Sequence, residues 1–505
     1  MKKNGTMMQY FHWYYGNNDN DPDLRDKVRQ EAKRLSNLGI TALWLPPVFK
    51  GNWFNENGKN ANEKYDVGYG IYDLYDLGEF NQKGTIRTKY GTIDQYLAAI
   101  KVAHDNGIDI YADVVLNHKT GADETEWVKA AMVALNDRNF VINSELWIEA
   151  WTRFKFEGRA NKYSDFKWCF RHFDGVDWAG NLEDTEAKGI FKFIGLGKEW
   201  EKMVSGEHGN YDYLMYSDID MNNPEVRTEL ARWGKWFLKT TGVDGFRLDA
   251  LKHIQFSFFR DWIKFLRKEY PRLFAVGEYW SYNLSELQYY IQKTDGCVSL
   301  FDAPLQNNFY QASRTPNGNY DMHGILNNTL MKNNPVLAVT IIDNHDTQPC
   351  QSLEHWVDWW FRPLGYAIIL LRKEGYPSVF YPDLYGAEYE DKGNKIMLAP
   401  VENIEKLITA RKLYAYGTQQ DYFDDRNTIG WTREGEDEHA GSGVAVLLTN
   451  AEAATKWMEI GKKHAGKQLY DYLGNCAGTT KVNEDGWAKF SVNDRSVSVW
   501  ILQNQ

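Results

Sequence analysis

Acidic residues recur at four places where a short apolar run ends: Asp113-Val-Val-Leu-Asn117-His118, Gly245-Phe-Arg247-Leu-Asp249, Gly277-Glu278-Tyr-Trp280 and Asp343-Asn-His345-Asp346. A lone acid at a strand end commonly caps the next helix. Four ends that together carry Asp, Glu, Arg and two His are not explained by capping. Arg247 and Asp249 are two apart on a strand, so both side chains share a face, and a guanidinium beside a carboxylate keeps it ionised at neutral pH. An ionised carboxylate can act as a nucleophile. Glu278 is followed by Tyr279 and Trp280, and aromatic surroundings raise a carboxyl pKa and keep it protonated, as a general acid must be. One attacking carboxylate and one proton-donating carboxyl are what cleavage of a glycosidic bond requires. His118 and His345 are candidates to hydrogen-bond sugar hydroxyls.

These groups need a frame that brings strand ends together. Strand-like runs alternate with amphipathic stretches, the pattern of βαβ units around a parallel sheet. Eight strands are expected, near residues 6–11, 41–48, 109–117, 243–249, 273–278, 297–302, 337–343 and 377–381, with helices over 23–38, 92–106, 224–240 and 256–270. Asn223 and Pro224 suit a helix start. Eight units imply a (β/α)8 barrel, which collects functional groups at the carboxyl ends of its strands. The stretch after strand three is too long for a structureless loop. The expected organisation is a barrel of residues 1–118 and 223–415, an inserted small β-rich domain of 119–222, and a C-terminal antiparallel β-sandwich of 416–505. Within the last, strands are expected over 428–432, 443–448, 468–472, 488–492 and 496–502; residues 51–64, rich in Asn and Gly, read as a surface loop.

The chain of 505 residues is long enough for more than one core. Aromatics reach 15%, with 20 Trp and 31 Tyr, whose flat faces suit sugar rings. A net charge of −11 argues against a nucleic-acid partner. There is no apolar run of about 18 residues to span a membrane. Met1-Lys2-Lys3 leads straight into a strand-like segment without an apolar stretch, so no secretion signal is expected. Cys169, Cys297, Cys350 and Cys476 are scattered and read as reduced, buried thiols, which with the missing signal points to the cytoplasm. A monomer is expected.

In order and spacing, the four acidic stretches resemble signature regions of the α-amylase family. Gln9-Tyr-Phe-His-Trp-Tyr14, Trp44-Leu-Pro-Pro47, Val67-Gly-Tyr-Gly-Ile-Tyr-Asp-Leu74, Tyr211-Asp-Tyr-Leu-Met-Tyr216 and Ser378-Val-Phe-Tyr-Pro-Asp383 resemble its bacterial liquefying and cytoplasmic branch. The resemblance covers nearly the whole chain. It implies endo-acting, retaining hydrolysis of α-1,4-glucosidic bonds in starch, glycogen or maltodextrins, with an α-glucan as substrate. By the same resemblance Asp249 is the nucleophile, Glu278 the acid/base, and Asp346 the third carboxylate, which favours the transition state. Arg247, His118 and His345 surround that sugar, Tyr69 stacks on it, and Lys252 with His253 stand on the leaving-group side. The resemblance also implies Ca2+ held by Asn117, Asp212, Asp218 and the backbone carbonyl of His253, an all-oxygen set suited to a hard cation. For a further ion, Asp174 and Asp220 keep the pattern of the liquefying enzymes, but Glu201 and Asn222 stand where aspartates are expected. One calcium site is expected and a second is left open.

Two other readings remain at this point. An α-1,6-glucosidase or a glucan-transferring enzyme would share the triad, although the 211–220 stretch and the long insertion resemble the endo-acting branch. A non-catalytic, glycan-binding relative would be expected to lose a carboxylate, and all three stand here.

Overall fold

The structure, a computed structural model, describes residues 4–16, 22–52, 67–183, 185–316 and 318–503. Eight parallel strands close into a barrel in chain order: β1 (Met7–Gln9), β2 (Ala42–Leu45), β3 (Asp109–Val114), β4 (Gly245–Leu248), β5 (Phe274–Gly277), β6 (Ser299–Phe301), β7 (Ala338–Thr340) and β8 (Tyr376–Phe380). β1 pairs with both β2 and β8, which closes the ring. The first seven strands fall inside their expected windows and the eighth begins one residue early, at Tyr376; the residues left over at the carboxyl ends form the loops of the site.

Parallel neighbours need crossovers, and here helices supply them. α1 (Leu24–Leu38) starts where Asp23 accepts from the Arg25 N–H, α2 (Ile93–Asp105) starts with a Thr92/Gln95 capping box, and α3 (Pro224–Thr241) has Asn223 as cap and Pro224 in its first turn. α4 (Phe256–Arg267) lays Phe258, Phe259, Trp262, Ile263 and Leu266 into the core. Trp233 of α3 stacks on Trp262 at 6.0 Å, and Trp262 stacks on Phe246 of β4 at 5.5 Å, so aromatic rings fasten two helices to the strand that carries Arg247.

Between β3 and α3 the chain builds an antiparallel six-stranded sheet, in spatial order His118–Lys119, Ser217–Ile219, Phe173–Trp178, Lys188–Phe193, Glu124–Val133 and Val141–Arg153. The first two of these strands carry His118 and Asp218, and Asn117 directly precedes the first. The C-terminal part is a six-stranded antiparallel sheet with a two-stranded ribbon, Ala454–Glu459 and Trp487–Val492. Ala445, Leu447, Met458, Phe490 and Trp500 share one apolar cluster between them.

Several expectations need correction. Strands Gln419–Tyr422, Ala454–Glu459 and Thr479–Lys481 were not anticipated, nor was the hairpin Ala387–Asp391/Asn394–Leu398. They are edge or ribbon strands with many exposed polar residues, so their apolar alternation is weak. The cysteines are free, but only Cys476 is buried; Cys169, Cys297 and Cys350 are partly exposed. From residue 53 onward the expected 51–64 loop lies outside the described residues. No helix among the described residues is long and apolar enough to cross a membrane.

Candidate active site

The strand register builds the site. Arg247 on β4 lies directly across from Asp113 on β3, and Leu248 across from Gly277 on β5, so Asp249 and Glu278 leave adjacent strands side by side. Gly277 permits this close approach: a Cβ there would lie 2.2 Å from Leu251 Cδ1. After Asp249 the chain turns sharply through Ala250, a left-handed residue with φ 56°. That turn carries Lys252 and His253 to the cleft wall.

Arg247 is the hub. It is fully buried, and Nη1 donates to Asp113 Oδ1 at 2.9 Å and to Asp249 Oδ1 at 2.5 Å, while Nη2 donates to Glu278 Oε2 at 2.6 Å. Burial disfavours the guanidinium charge, but Asp113, Tyr69 and the two cleft carboxylates outweigh it and hold Arg247 firmly protonated. Asp113 also accepts from Tyr69 Oη at 2.8 Å and Trp44 Nε1 at 2.9 Å. It heads a motif but is not singled out in the sequence as a site residue, because an aspartate inside a strand gives no sign in sequence of what it will face.

The carboxyls differ in proton affinity. Burial, with repulsion from Asp346 and Asp249, raises Glu278 to about 8 against the pull of Arg247. Burial likewise raises Asp346 to about 7, with Arg247 again opposing. Glu278 therefore holds a proton at neutral pH, with burial as the largest cause.

The surrounding side chains are fixed by their own bonds. His345 Nδ1 meets Gln9 Nε2 at 3.1 Å, and its Nε2 lies 3.4 Å from Asp346 Oδ2. Trp13, Tyr69 and His345 lie in nearly parallel planes, Tyr69 and His345 5.3 Å apart at 8°. His118 meets the Tyr69 carbonyl through Nε2 at 3.0 Å and Asn117 through Nδ1 at 3.3 Å, so both of its ring nitrogens have protein partners. Lys252 pairs with Glu207, and His253 Nδ1 meets the Tyr211 carbonyl at 2.7 Å. Asp343, the first acid of the fourth motif, faces away from the cleft: it pairs with Arg362 at 2.6 Å and accepts from Thr347 at 2.9 Å, bracing the turn that presents His345 and Asp346.

A cleft of about 820 Å³ opens over this assembly. Its walls include Asp249, Glu278, Asp346, Tyr69, His118, Lys252, His253 and His345. Arg247 lies beneath it. Trp280, read from sequence as a neighbour of Glu278, also lines it, as do Trp13 and Tyr216, which the sequence does not single out because aromatic residues are too frequent in this chain for one to be distinctive.

The family model for the α-amylase catalytic domain matches residues 12–465, and that for the α-amylase C-terminal region matches 444–501. The chain belongs to the α-amylase family. It is thus a glycoside hydrolase. It is 56% identical to an α-amylase of Geobacillus stearothermophilus over 500 residues, 99% of this chain and 87% of that protein. It is 43% identical to the cytoplasmic α-amylase of Escherichia coli (strain K12) over 509 residues, 99% of each chain. A solved Anoxybacillus α-amylase shares the fold at a TM-score of 0.61 and 18% identity, covering 100% of this chain and 98% of that one.

A second acidic cluster lies at the base of the inserted sheet. Asp174, Glu201 and Asp212 offer carboxylate oxygens all within 4.8 Å of one another, and Asp218 and Asn117 are joined by a 3.5 Å contact. Asn117 Oδ1, both oxygens of Asp174, Asp212 Oδ1 and Asp218 Oδ2 are buried without a hydrogen-bond partner. Buried oxygens left unpaired are costly, and a set made only of oxygens fits a hard divalent cation. The His253 ring meets the carbonyl of Tyr211, the residue directly before Asp212. Glu201, which replaces an expected aspartate, joins the group all the same. Lys198 reaches its edge and pairs with Asp220 at 2.9 Å.

Proposed function

We propose that this chain hydrolyses internal α-1,4-glucosidic bonds of an α-glucan with retention of configuration. The observation that carries the reading is the single guanidinium of Arg247 bridging Asp249 and Glu278. Two carboxyls that share one guanidinium stand close together, and retaining hydrolysis uses a pair about 5–5.5 Å apart, closer than the roughly 6.5–9.5 Å of inverting enzymes.

In this mechanism Glu278, protonated at neutral pH, gives its proton to the glycosidic oxygen while Asp249 attacks the anomeric carbon from the other face. The glycosyl-enzyme ester then breaks when Glu278, now a base, takes a proton from water and the resulting hydroxide equivalent releases Asp249. Asp346 contacts the sugar in the cleavage subsite, and Tyr69 offers it a flat face. His118 and His345 orient Tyr69 and Asp346 from behind, and Lys252 with His253 line the leaving-group side.

Asn117, Asp212, Asp218 and the His253 carbonyl would hold Ca2+, and the unpaired buried oxygens support this. Bound there, the ion would tie the inserted sheet to the barrel. The Asp174, Glu201 and Asp212 group supports a further ion in the same cluster. The barrel of 1–118 and 223–415, the insertion of 119–222 and the C-terminal unit of 416–505 are the domains we assign. A cytoplasmic setting is supported by the likeness to the cytoplasmic relative along its full length.

Chromatography of products from soluble starch and from isomalto-oligosaccharides tests the reading. A ladder of maltooligosaccharides from starch is expected. Glucose released only from 1,6-linked substrate would overturn it.

A further inference from the structure

The outward face of the inserted sheet departs from the pattern of its inward face. In the hairpin Glu124–Val133/Val141–Arg153, Val128, Ala130, Ile148 and Ala150 are buried, and the residues between them point outward. An antiparallel sheet with one solvated face normally carries polar residues there. Here the outward positions include Trp127, Trp147 and Trp151, which are 57%, 60% and 47% exposed. The register sets Trp127 opposite Glu149, Trp147 opposite Lys129 and Trp151 opposite Thr125. Trp127 therefore has Trp147 and Trp151 as its two diagonal neighbours, about 7–8 Å away in such a ladder. Core packing accounts for none of the three.

The face is continuous with the cleft. Trp151 and Tyr216 share a second depression of about 330 Å³, and Tyr216 also lines the cleft above Asp249 and Glu278. We propose that Trp127 and Trp147 form a platform that binds remote glucosyl units of the same glucan whose bond lies in the cleft. Indole faces suit the apolar faces of sugar rings, and each ring keeps an N–H for a hydroxyl. Glu149 and the Lys129–Glu145 pair, 3.1 Å apart, stand at its border and offer hydrogen bonds to the same hydroxyls. The proposal rests on the α-glucan reading above.

The test compares wild type with the double variant Trp127→Ala/Trp147→Ala. In a Glu278→Gln background, which prevents digestion, mobility is measured in native gels cast with and without soluble starch. In the active background, kinetics are measured on starch and on a short chromogenic maltooligosaccharide. Starch is expected to slow the protein with both indoles clearly more than the double variant, which keeps only its cleft, with KM for starch rising several-fold and kcat/KM on the short substrate unchanged. Trp127→Phe/Trp147→Phe should restore the retardation, which separates ring stacking from general damage to the sheet. Equal retardation of the Ala variant would overturn the platform. So would sedimentation showing a wild-type dimer that the variant converts to monomer, because the face would then join two copies. If wild type leaves the short substrate intact, the hydrolase reading itself fails, whatever the gel shows.

Discussion

The catalytic cluster and the acidic cluster of the insertion meet one electrostatic problem in two ways. In the first, Asp113, Asp249 and Glu278 are gathered around a cation that belongs to the chain, Arg247. In the second, Asp174, Glu201, Asp212 and Asp218 crowd together with several oxygens unpaired, and the ammonium of Lys198 stands at the edge, 2.9 Å from Asp220 and 3.9 Å from Asp174. A permanent guanidinium fixes the geometry of groups that must react. On the calcium proposal, a cluster that lacks its own central cation takes one from solution, so its integrity would depend on the medium. The first cluster should therefore answer mainly to mutation, the second mainly to metal supply.

The largest expected effect is chemical. Asp249→Asn should lower kcat by roughly 10^4-fold or more, the scale on which removal of a nucleophile acts, while circular dichroism and retardation in starch gels stay close to wild type. Near-normal turnover would remove Asp249 from its proposed role. Next is Arg247→Leu, which makes the catalytic cluster resemble the other one. Loss of one partner from a buried ionic group costs about 3–5 kcal/mol, so both stability and activity should fall, and added calcium should rescue neither. Urea unfolding at fixed calcium checks the first and turnover the second.

Much of this contrast was legible in sequence, but unevenly. The four strand ends gave Asp249, Glu278 and their barrel setting, because strand position and chemical type are local properties. Helix starts such as Asn223-Pro224 were legible for the same reason. The link of Arg247 to Glu278 was not, since it depends on the register between β4 and β5, which no local pattern fixes. Asp343 shows the reverse error available to motif reading: it stands in the same motif as Asp346 yet serves Arg362 and the turn. The unexpected ribbon strand Ala454–Glu459 alternates too weakly to be seen before its partner Trp487–Val492 is known.

The third effect separates the clusters by metal. A ligand present at about 100–1,000 times its Kd stabilises the folded state by roughly 2.7–4.1 kcal/mol. Removing calcium with a chelator should therefore lower Tm by several degrees, and Asp218→Asn should lower it similarly and blunt any further response to chelator. If Tm is indifferent to chelator, the second cluster needs no external cation and the contrast collapses.

The smallest effect lies inside the catalytic cluster and concerns the sign of a shift. Glu278 is raised to about 8, so its acid form persists at neutral pH and is lost as pH rises through that value; kcat/KM should fall on the alkaline side near pH 8. Asp346 is among the charges that raise it. Asp346→Asn removes that repulsion, so the residual activity of the variant should lose its alkaline limb at lower pH than wild type, by a fraction of a unit to about one unit. A pH–rate profile on a short maltooligosaccharide measures both limbs. A limb that stays in place would mean that burial and the other aspartates hold the Glu278 proton without Asp346, and that the two acids, though they share a cleft, titrate independently.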